Sequence, residues 1–129
     1  MRVRIINPGK VEGEALVSRQ PINFYLGVDI TRGVVVEKGH ELEGKCIKDK
    51  ILLFPHGKGS TVGAYSLYAL KKRGVAPLAI INEKTDLVVA SGCILASIPC
   101  ADGVRVTSFR SGERLRLDAE KGELIRRRG

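Results

Sequence analysis

Apolar residues along this chain fall into short runs and alternating patterns rather than long helical periods. MRVRII at the N-terminus alternates as a half-buried strand does, and ILLF at residues 51–54 is an apolar run typical of a strand buried on both faces. We predict strands at 3–6, 15–17, 33–37, 75–81, 104–107, 114–118 and 123–127, and two short strands within 44–54. The predicted fold class is therefore mixed α/β, with short strands around one main helix.

The main helix is predicted at residues 61–73, directly after the apolar run and a glycine-rich turn. Ser60 or Thr61 is a suitable N-cap, because a hydroxyl accepts a hydrogen bond from an unpaired amide at the start of a helix. The basic residues at 71–73 complement the negative end of the helix dipole, and Gly74 is a natural left-handed stop. Both ends of this helix are thus marked by local chemistry.

Two further segments are less regular. A second, shorter helix is predicted near residues 86–97 with Asp86 as its cap, although Val88 and Val89 leave a strand as the alternative. Residues 18–29 mix apolar and polar groups without a clean period and are predicted to form an ordered loop. Such a loop is either a packed crossover or a functional segment that a rigid scaffold positions.

Length and composition restrict the function. The chain has 129 residues, and we expect one domain over 1–129. A domain of this size is small for an enzyme that encloses its own active site, so we favour a site on a surface that faces a partner. There is no long apolar span and no signal-peptide core, so no membrane association and a cytoplasmic location are expected.

The net charge of +8 suits several anionic partners, but no aromatic residues alternate with the basic clusters at 45–50, 71–73 and 126–128. Nucleic-acid binding is therefore not expected.

The cysteines and histidines give no metal-binding pattern. The number of cysteines is odd, and no two of the three, Cys46, Cys93 and Cys100, form a Cys-x-x-Cys pair. The last two lie among small and apolar residues, which is typical of a buried core. His40 and His56 have no cysteine or carboxylate at ligand spacing. We predict no metal ligand in this chain.

The segment with the most specific chemistry is PHGKGSTVG at residues 55–63, where the predicted strand meets the main helix. Glycines allow a tight turn and close approach of a ligand to the backbone, and a helix N-terminus favours negative charge. Ser60 is therefore either a simple cap or a group whose ionised oxygen the helix stabilises. The spacing is not that of a nucleotide-binding loop, which needs four residues between its glycines and a Gly-Lys-Ser/Thr ending.

Five motifs in order give the chain a family resemblance. They are SRQPINF at 18–24, GVD at 27–29, HELEG at 40–44, PHGKGSTVG at 55–63 and GVAP at 74–77. Together they resemble the small, swivelling-domain subunit of the aconitase X family over nearly the whole chain. The resemblance implies a β/β/α swivelling domain, similar to the C-terminal domain of aconitases, that forms a heterodimer with a large catalytic subunit.

The resemblance also implies an activity. A chain of this length is most similar to the archaeal small subunits, whose enzymes dehydrate (R)-5-phosphomevalonate to trans-anhydromevalonate 5-phosphate on a mevalonate route to isoprenoids. The implied cofactor is a 4Fe-4S cluster carried by the large subunit, and its iron would act on the departing hydroxyl. No cofactor is expected to bind to this chain alone. The implied catalytic residue is Ser60, as the base that takes the proton next to the carboxylate. Binding of the phosphorylated hydroxy acid is assigned to Asp29, His56, Lys58, Gly59, Thr61, Val62 and Gly63.

The chain departs from the family pattern at a few positions that bear on the substrate. Lys58 occupies a position where arginine is common in the family. Arginine can form two parallel hydrogen bonds with an anion, whereas lysine provides a single point charge. Asn23, Tyr25 and Leu26 change the usual composition of the first loop, and Ala64 replaces a frequent serine. Two alternatives thus stay open: a related dehydratase acting on hydroxyproline or another hydroxy acid, and a non-catalytic regulatory or scaffolding subunit.

Overall fold

The computed structural model describes residues 1–127, so Arg128 of the predicted C-terminal basic cluster and Gly129 lie outside the described residues. Within these residues nine strands and two α-helices follow one another, with one turn of 3₁₀ helix at Val106–Ser108. The elements are β1 (Arg4–Asn7), β2 (Lys10–Val17), β3 (Val28–Asp29), β4 (Val34–Val35), β5 (Ile51–Phe54), α1 (Val62–Lys72), β6 (Ala79–Asn82), α2 (Leu87–Ala96), β7 (Cys100–Asp102), β8 (Arg114–Asp118) and β9 (Glu123–Arg127).

Seven strands form one curled sheet in the order β1-β7-β6-β5-β2-β8-β9. The central strands β7, β6, β5 and β2 are parallel, whereas β1, β8 and β9 pair antiparallel with their neighbours. The two edges of the sheet meet, because the Val3 amide donates to the Gly122 carbonyl at 2.9 Å and the Leu124 amide to the Met1 carbonyl at 2.8 Å. This contact covers backbone groups that an open sheet would expose.

Both faces of the central strands are buried, which explains their continuous apolar sequences. In β5, Leu52 and Phe54 pack on one face with the inward residues of α1 and α2, and Ile51 and Leu53 pack on the other face inside the curl, with β8 and the 3₁₀ turn. All four side chains are fully buried. At about 1.5–3 kcal/mol for each large apolar side chain, this strand is a principal source of stability.

Most predicted elements are confirmed, including both helices and the mixed α/β class. The strand predicted at 104–107 is wrong: Gly103 leaves the extended conformation with φ of +96°, and the chain turns into the 3₁₀ segment. The strand lies earlier, at Cys100–Asp102, next to β6. The first strand predicted within 44–54 is reduced to a single bridge between Cys46 and Val34, and β2 begins five residues before its predicted start at residue 15.

No helix within residues 1–127 combines the length and the apolar character that crossing a bilayer requires.

The edge strand β1 is tied to β7 by a partly buried ion pair. Arg4 donates to both carboxylate oxygens of Asp102 at 2.8 and 2.7 Å, and the Thr85 amide donates to the same carboxylate at 2.8 Å. Burial alone raises the pKa of Asp102, but these hydrogen bonds outweigh it and hold the pKa below its ordinary value. The pair therefore stabilises the fold only while Asp102 is ionised.

We expect Arg4→Ala to lower the free energy of unfolding at neutral pH, since the Asp102 carboxylate, which is 2 % exposed in the folded protein, loses two of its hydrogen bonds. Because the folded-state pKa is depressed, this contribution is complete above the unfolded pKa of about 4 and is lost progressively as the pH falls from there through the lower folded-state pKa. Urea unfolding of both proteins at pH 7 and at pH 3 measures the effect. If the free energies of unfolding of the two proteins differ as much at pH 3 as at pH 7, the ion pair with Asp102 is not the cause of the difference.

Candidate active site

The PHGKGSTVG segment leaves the carboxyl end of β5 and enters α1 at Val62. Ser60 is exposed, and its Oγ accepts a hydrogen bond from the Val62 amide at 3.1 Å. The capping hydroxyl is thus that of Ser60, whereas Thr61 already has helical backbone angles and its side chain makes no capping bond. The sequence left the choice between these two residues open, and the structure decides it.

The surroundings of the Ser60 oxygen favour negative charge. The first turn of α1 contains no acidic residue, so the positive end of the helix dipole is not neutralised. The Val62 amide already points at the oxygen, and an N–H donor stabilises an alkoxide more than a hydroxyl. Within residues 1–127 the amides of Gly59, Ser60 and Thr61 have no hydrogen-bond acceptor, so they remain available to a bound anion.

Two glycines fix the shape of this turn. Gly59 has φ of +94°, and a β-carbon there would lie 2.6 Å from the Asn23 side-chain nitrogen. Asn23 cannot readily move, because its Oδ1 accepts from the amides of Tyr25 and Leu26, both at 3.0 Å. A β-carbon on Gly57 would lie 2.7 Å from Val89. Neither position has room for a side chain.

Asp86 links the turn to the second helix. One carboxylate oxygen accepts from the Gly57 amide at 2.6 Å, and the other accepts from the Val89 amide in the first turn of α2 at 3.3 Å. The capping role of Asp86 was predicted and is confirmed. Its bond to Gly57 was not predicted, because nothing local joins residues 29 positions apart.

The loop at residues 18–29 packs directly against the same turn. The Ile22 amide donates to the His56 carbonyl at 3.3 Å, and the Lys58 amide donates to the Ile22 carbonyl at 3.0 Å. Phe24 packs edge-on against Phe54 with ring centroids 5.6 Å apart. The predicted ordered loop therefore serves as one wall of the Ser60 turn.

Lys58 and His56 both lie on the turn, but their side chains already have partners. Lys58 Nζ donates to Glu37 at 2.9 Å, so part of its charge is balanced. His56 Nδ1 lies 2.7 Å from the Gly57 carbonyl; since a carbonyl only accepts, Nδ1 carries the proton. In the neutral ring this leaves Nε2 of the exposed His56 residue as an acceptor.

Asp29 is not joined to the Ser60 turn. Its carboxylate pairs with Arg32 at 2.9 Å and accepts from the Thr31 amide at 2.8 Å, and these two contacts lower its pKa. Within residues 1–127 the carboxylate forms no hydrogen bond or ion pair with residues 56–63. Its assignment to substrate binding stays a prediction, whereas Asn23, Glu37 and Asp86 are contacts of the turn that the sequence did not single out.

Residues 1–127 do not fit an iron–sulfur cluster. Within the described part of the chain, no three histidine, cysteine or acidic side chains converge as metal ligands. Cys46 is exposed, whereas Cys93 and Cys100 are buried together. A hydrogen bond with Cys100, and burial, raise the pKa of the Cys93 thiol, which opposes the thiolate form that binds iron.

The curled sheet with its two helices, and the exposed serine at the start of α1, define this protein as a β/β/α swivelling domain that presents a serine turn on its surface. The sequence matches the aconitase X swivel domain model over residues 1–126, and the chain belongs to this family.

Relatives cover nearly the whole chain. A protein of Thermococcus sibiricus named phosphomevalonate dehydratase small subunit is 49% identical over 124 residues, which are 96% of this chain and 95% of that protein. A protein of the same name from Methanosarcina acetivorans is 47% identical and covers 100% of this chain and 93% of its own length. The crystal structure of Thermococcus kodakaraensis aconitase X in its holo-form superposes with a TM-score of 0.96 at 46% identity, covering 98% of this chain and 97% of that one. The predicted family resemblance and swivelling-domain fold are confirmed.

Proposed function

We propose that this chain is the small subunit of a two-subunit hydro-lyase that dehydrates (R)-5-phosphomevalonate to trans-anhydromevalonate 5-phosphate. The observation that carries the proposal is the near-full-length identity of 47–49% to relatives named phosphomevalonate dehydratase small subunit. The exposed serine at an unneutralised helix N-terminus is the matching chemical feature in this chain.

In this proposal Ser60 is the general base. Its ionised oxygen takes the proton from the carbon next to the substrate carboxylate, the electron pair of that C–H bond forms the new double bond, and the C–O bond breaks with its electron pair leaving on the oxygen as hydroxide. The proton now held by Ser60 passes to this hydroxide, which gives water and restores the ionised serine. The Val62 amide and the helix dipole stabilise the ionised serine before the transfer. A positioned base of this kind contributes about 10²–10⁴-fold to a rate.

Substrate oxygens are held beside that base. The amides of Gly59 and Thr61, which have no acceptor within residues 1–127, and the Nε2 of His56 belong to the same turn as Ser60, and Lys58 contributes a positive charge shared with Glu37. We assign carboxylate or phosphate binding to these groups. Because residues 1–127 do not fit a cluster, we propose that the large subunit carries the iron–sulfur cluster.

Each polypeptide alone is expected to be inactive, and mixing them should restore dehydration of phosphomevalonate. The control substrate is hydroxyproline, because the Lys58–Glu37 pair leaves less free charge for a phosphate than an unpaired arginine would. Measurement of product formation with both substrates, for each subunit and for the complex, tests the proposal. Turnover of hydroxyproline alone would reject the substrate, and full activity of the large subunit alone would reject the catalytic role.

A further inference from the structure

Exposed apolar side chains are concentrated on the two helices beside Ser60. In α2 the exposed positions are Leu87, Ser91, Ile94 and Leu95, and the helix contains no charged residue. Leu87 is 78% exposed and Ile94 60% exposed. A surface helix normally places charged residues on its outer face, so the outer face of α2 is unusual for a surface in contact with water.

The adjacent half of α1 has the same character. Val62 is 41% exposed and Tyr65 is 69% exposed, whereas the basic residues of α1 lie in its last turn. Between the helices is an open groove of about 500 Å³, lined by Thr61, Ala64, Tyr65, Ser91, Ile94 and Leu95. Thr61 directly follows Ser60, so the groove begins where the reactive turn ends.

We infer that this α1–α2 face is the surface on which the large subunit docks. The inference rests on the proposed function for the identity of the partner, but its location comes from the structure. Ser60 must reach a substrate held by a second polypeptide, so the interface has to border Ser60. The α1–α2 face is continuous with the Ser60 turn. It lacks charged residues and contains an exposed tyrosine, and the centres of protein interfaces are likewise poor in charged residues and rich in aromatic ones.

The same geometry argues against a second copy of this chain as the occupant. A symmetric dimer through this face would cover the groove that borders Ser60 in both copies, and neither groove would then be free for the large subunit. The large subunit is therefore predicted to present an apolar ridge to the groove, with Tyr65 and Ile94 as central contacts.

The test is direct binding of the purified large subunit with its cluster, measured by calorimetry, to wild type and to Ile94→Arg. We expect Ile94→Arg to weaken binding at least about 30-fold, the loss typical of a central interface residue. The matched control is Ile125→Arg on β9, another exposed isoleucine, at 38% exposure, which should bind within about threefold of wild type. Thermal melts of both variants exclude a folding defect. A smaller variant, Ile94→Ser, repeats the comparison if Ile94→Arg unfolds.

Binding is measured without turnover, so the result does not depend on which substrate the complex uses. Ser60→Ala should bind the large subunit as wild type does, which separates docking from catalysis. Unchanged affinity of a folded Ile94 variant would overturn the inference. Sedimentation of the chain alone provides a second check: a wild-type dimer that Ile94→Arg makes monomeric would assign the face to a second copy and would also overturn it.

Discussion

Replacing Ser60 by alanine is expected to lower the turnover of the reconstituted complex about 10²–10⁴-fold. The physical reason is that the variant loses the oxygen that accepts from the Val62 amide at the start of α1, and with it the group that takes the proton in this proposal. Substrate binding should change much less, because the free backbone amides of the turn remain. Measurement of kcat and KM for the purified complex distinguishes the two effects.

Ser66→Ala is the matched control for this variant. Ser66 lies in the same helix, but it is buried and its hydroxyl donates to the Val62 carbonyl at 3.3 Å, within the helix itself. The same chemical change there should leave turnover within about threefold of wild type. If Ser60→Ala keeps more than a tenth of wild-type turnover, another group is the base and the catalytic assignment is wrong.

Substitution of Asp86 is expected to have the second largest effect, because its carboxylate joins the reactive turn to α2. Asp86→Ala removes the cap of α2 and leaves the buried Gly57 amide without an acceptor. These two losses should together lower the free energy of unfolding by about 3 kcal/mol and the melting temperature by about 10 °C. Turnover should fall about 10²-fold, since a shift of about 1 Å in the Ser60 turn is enough for a loss of that size.

Asp86→Ser separates the two roles. A serine at this position still caps α2 but is too short to reach Gly57 as well, so the part of the stability loss that comes from the cap, about 1 kcal/mol, should be recovered, whereas the part that comes from the Gly57 amide and the loss of turnover should remain. Chemical unfolding of the small subunit and turnover of the complex are measured for the same two variants. Recovery of both properties in Asp86→Ser would show that the bond to Gly57 does not position the turn.

Local sequence chemistry determined much of this protein. Glycine-rich residues before α1 and Gly74 after it marked that helix, Asp86 marked the start of α2, and the unbroken apolar run of β5 indicated a strand buried on both faces. The candidate serine also came from the sequence, because a hydroxyl after two glycines at a helix start is visible without knowledge of the fold. These features depend on neighbours within a few residues, which the sequence specifies directly.

Contacts between distant residues were decided only by the tertiary structure. The segment at 104–107 alternates like a strand, but the curled sheet pairs Cys100–Asp102 with β6 and turns the chain at Gly103. Asn23, Glu37 and Asp86 reach the Ser60 turn from elements far along the chain, and Lys58 meets a partner that partly balances its charge. The periodicity of a sequence indicates which face of a helix or strand is apolar. Which residues pack against that face depends on how the sheet curls. The sequence therefore indicated the reactive group, and packing determined what holds it in place.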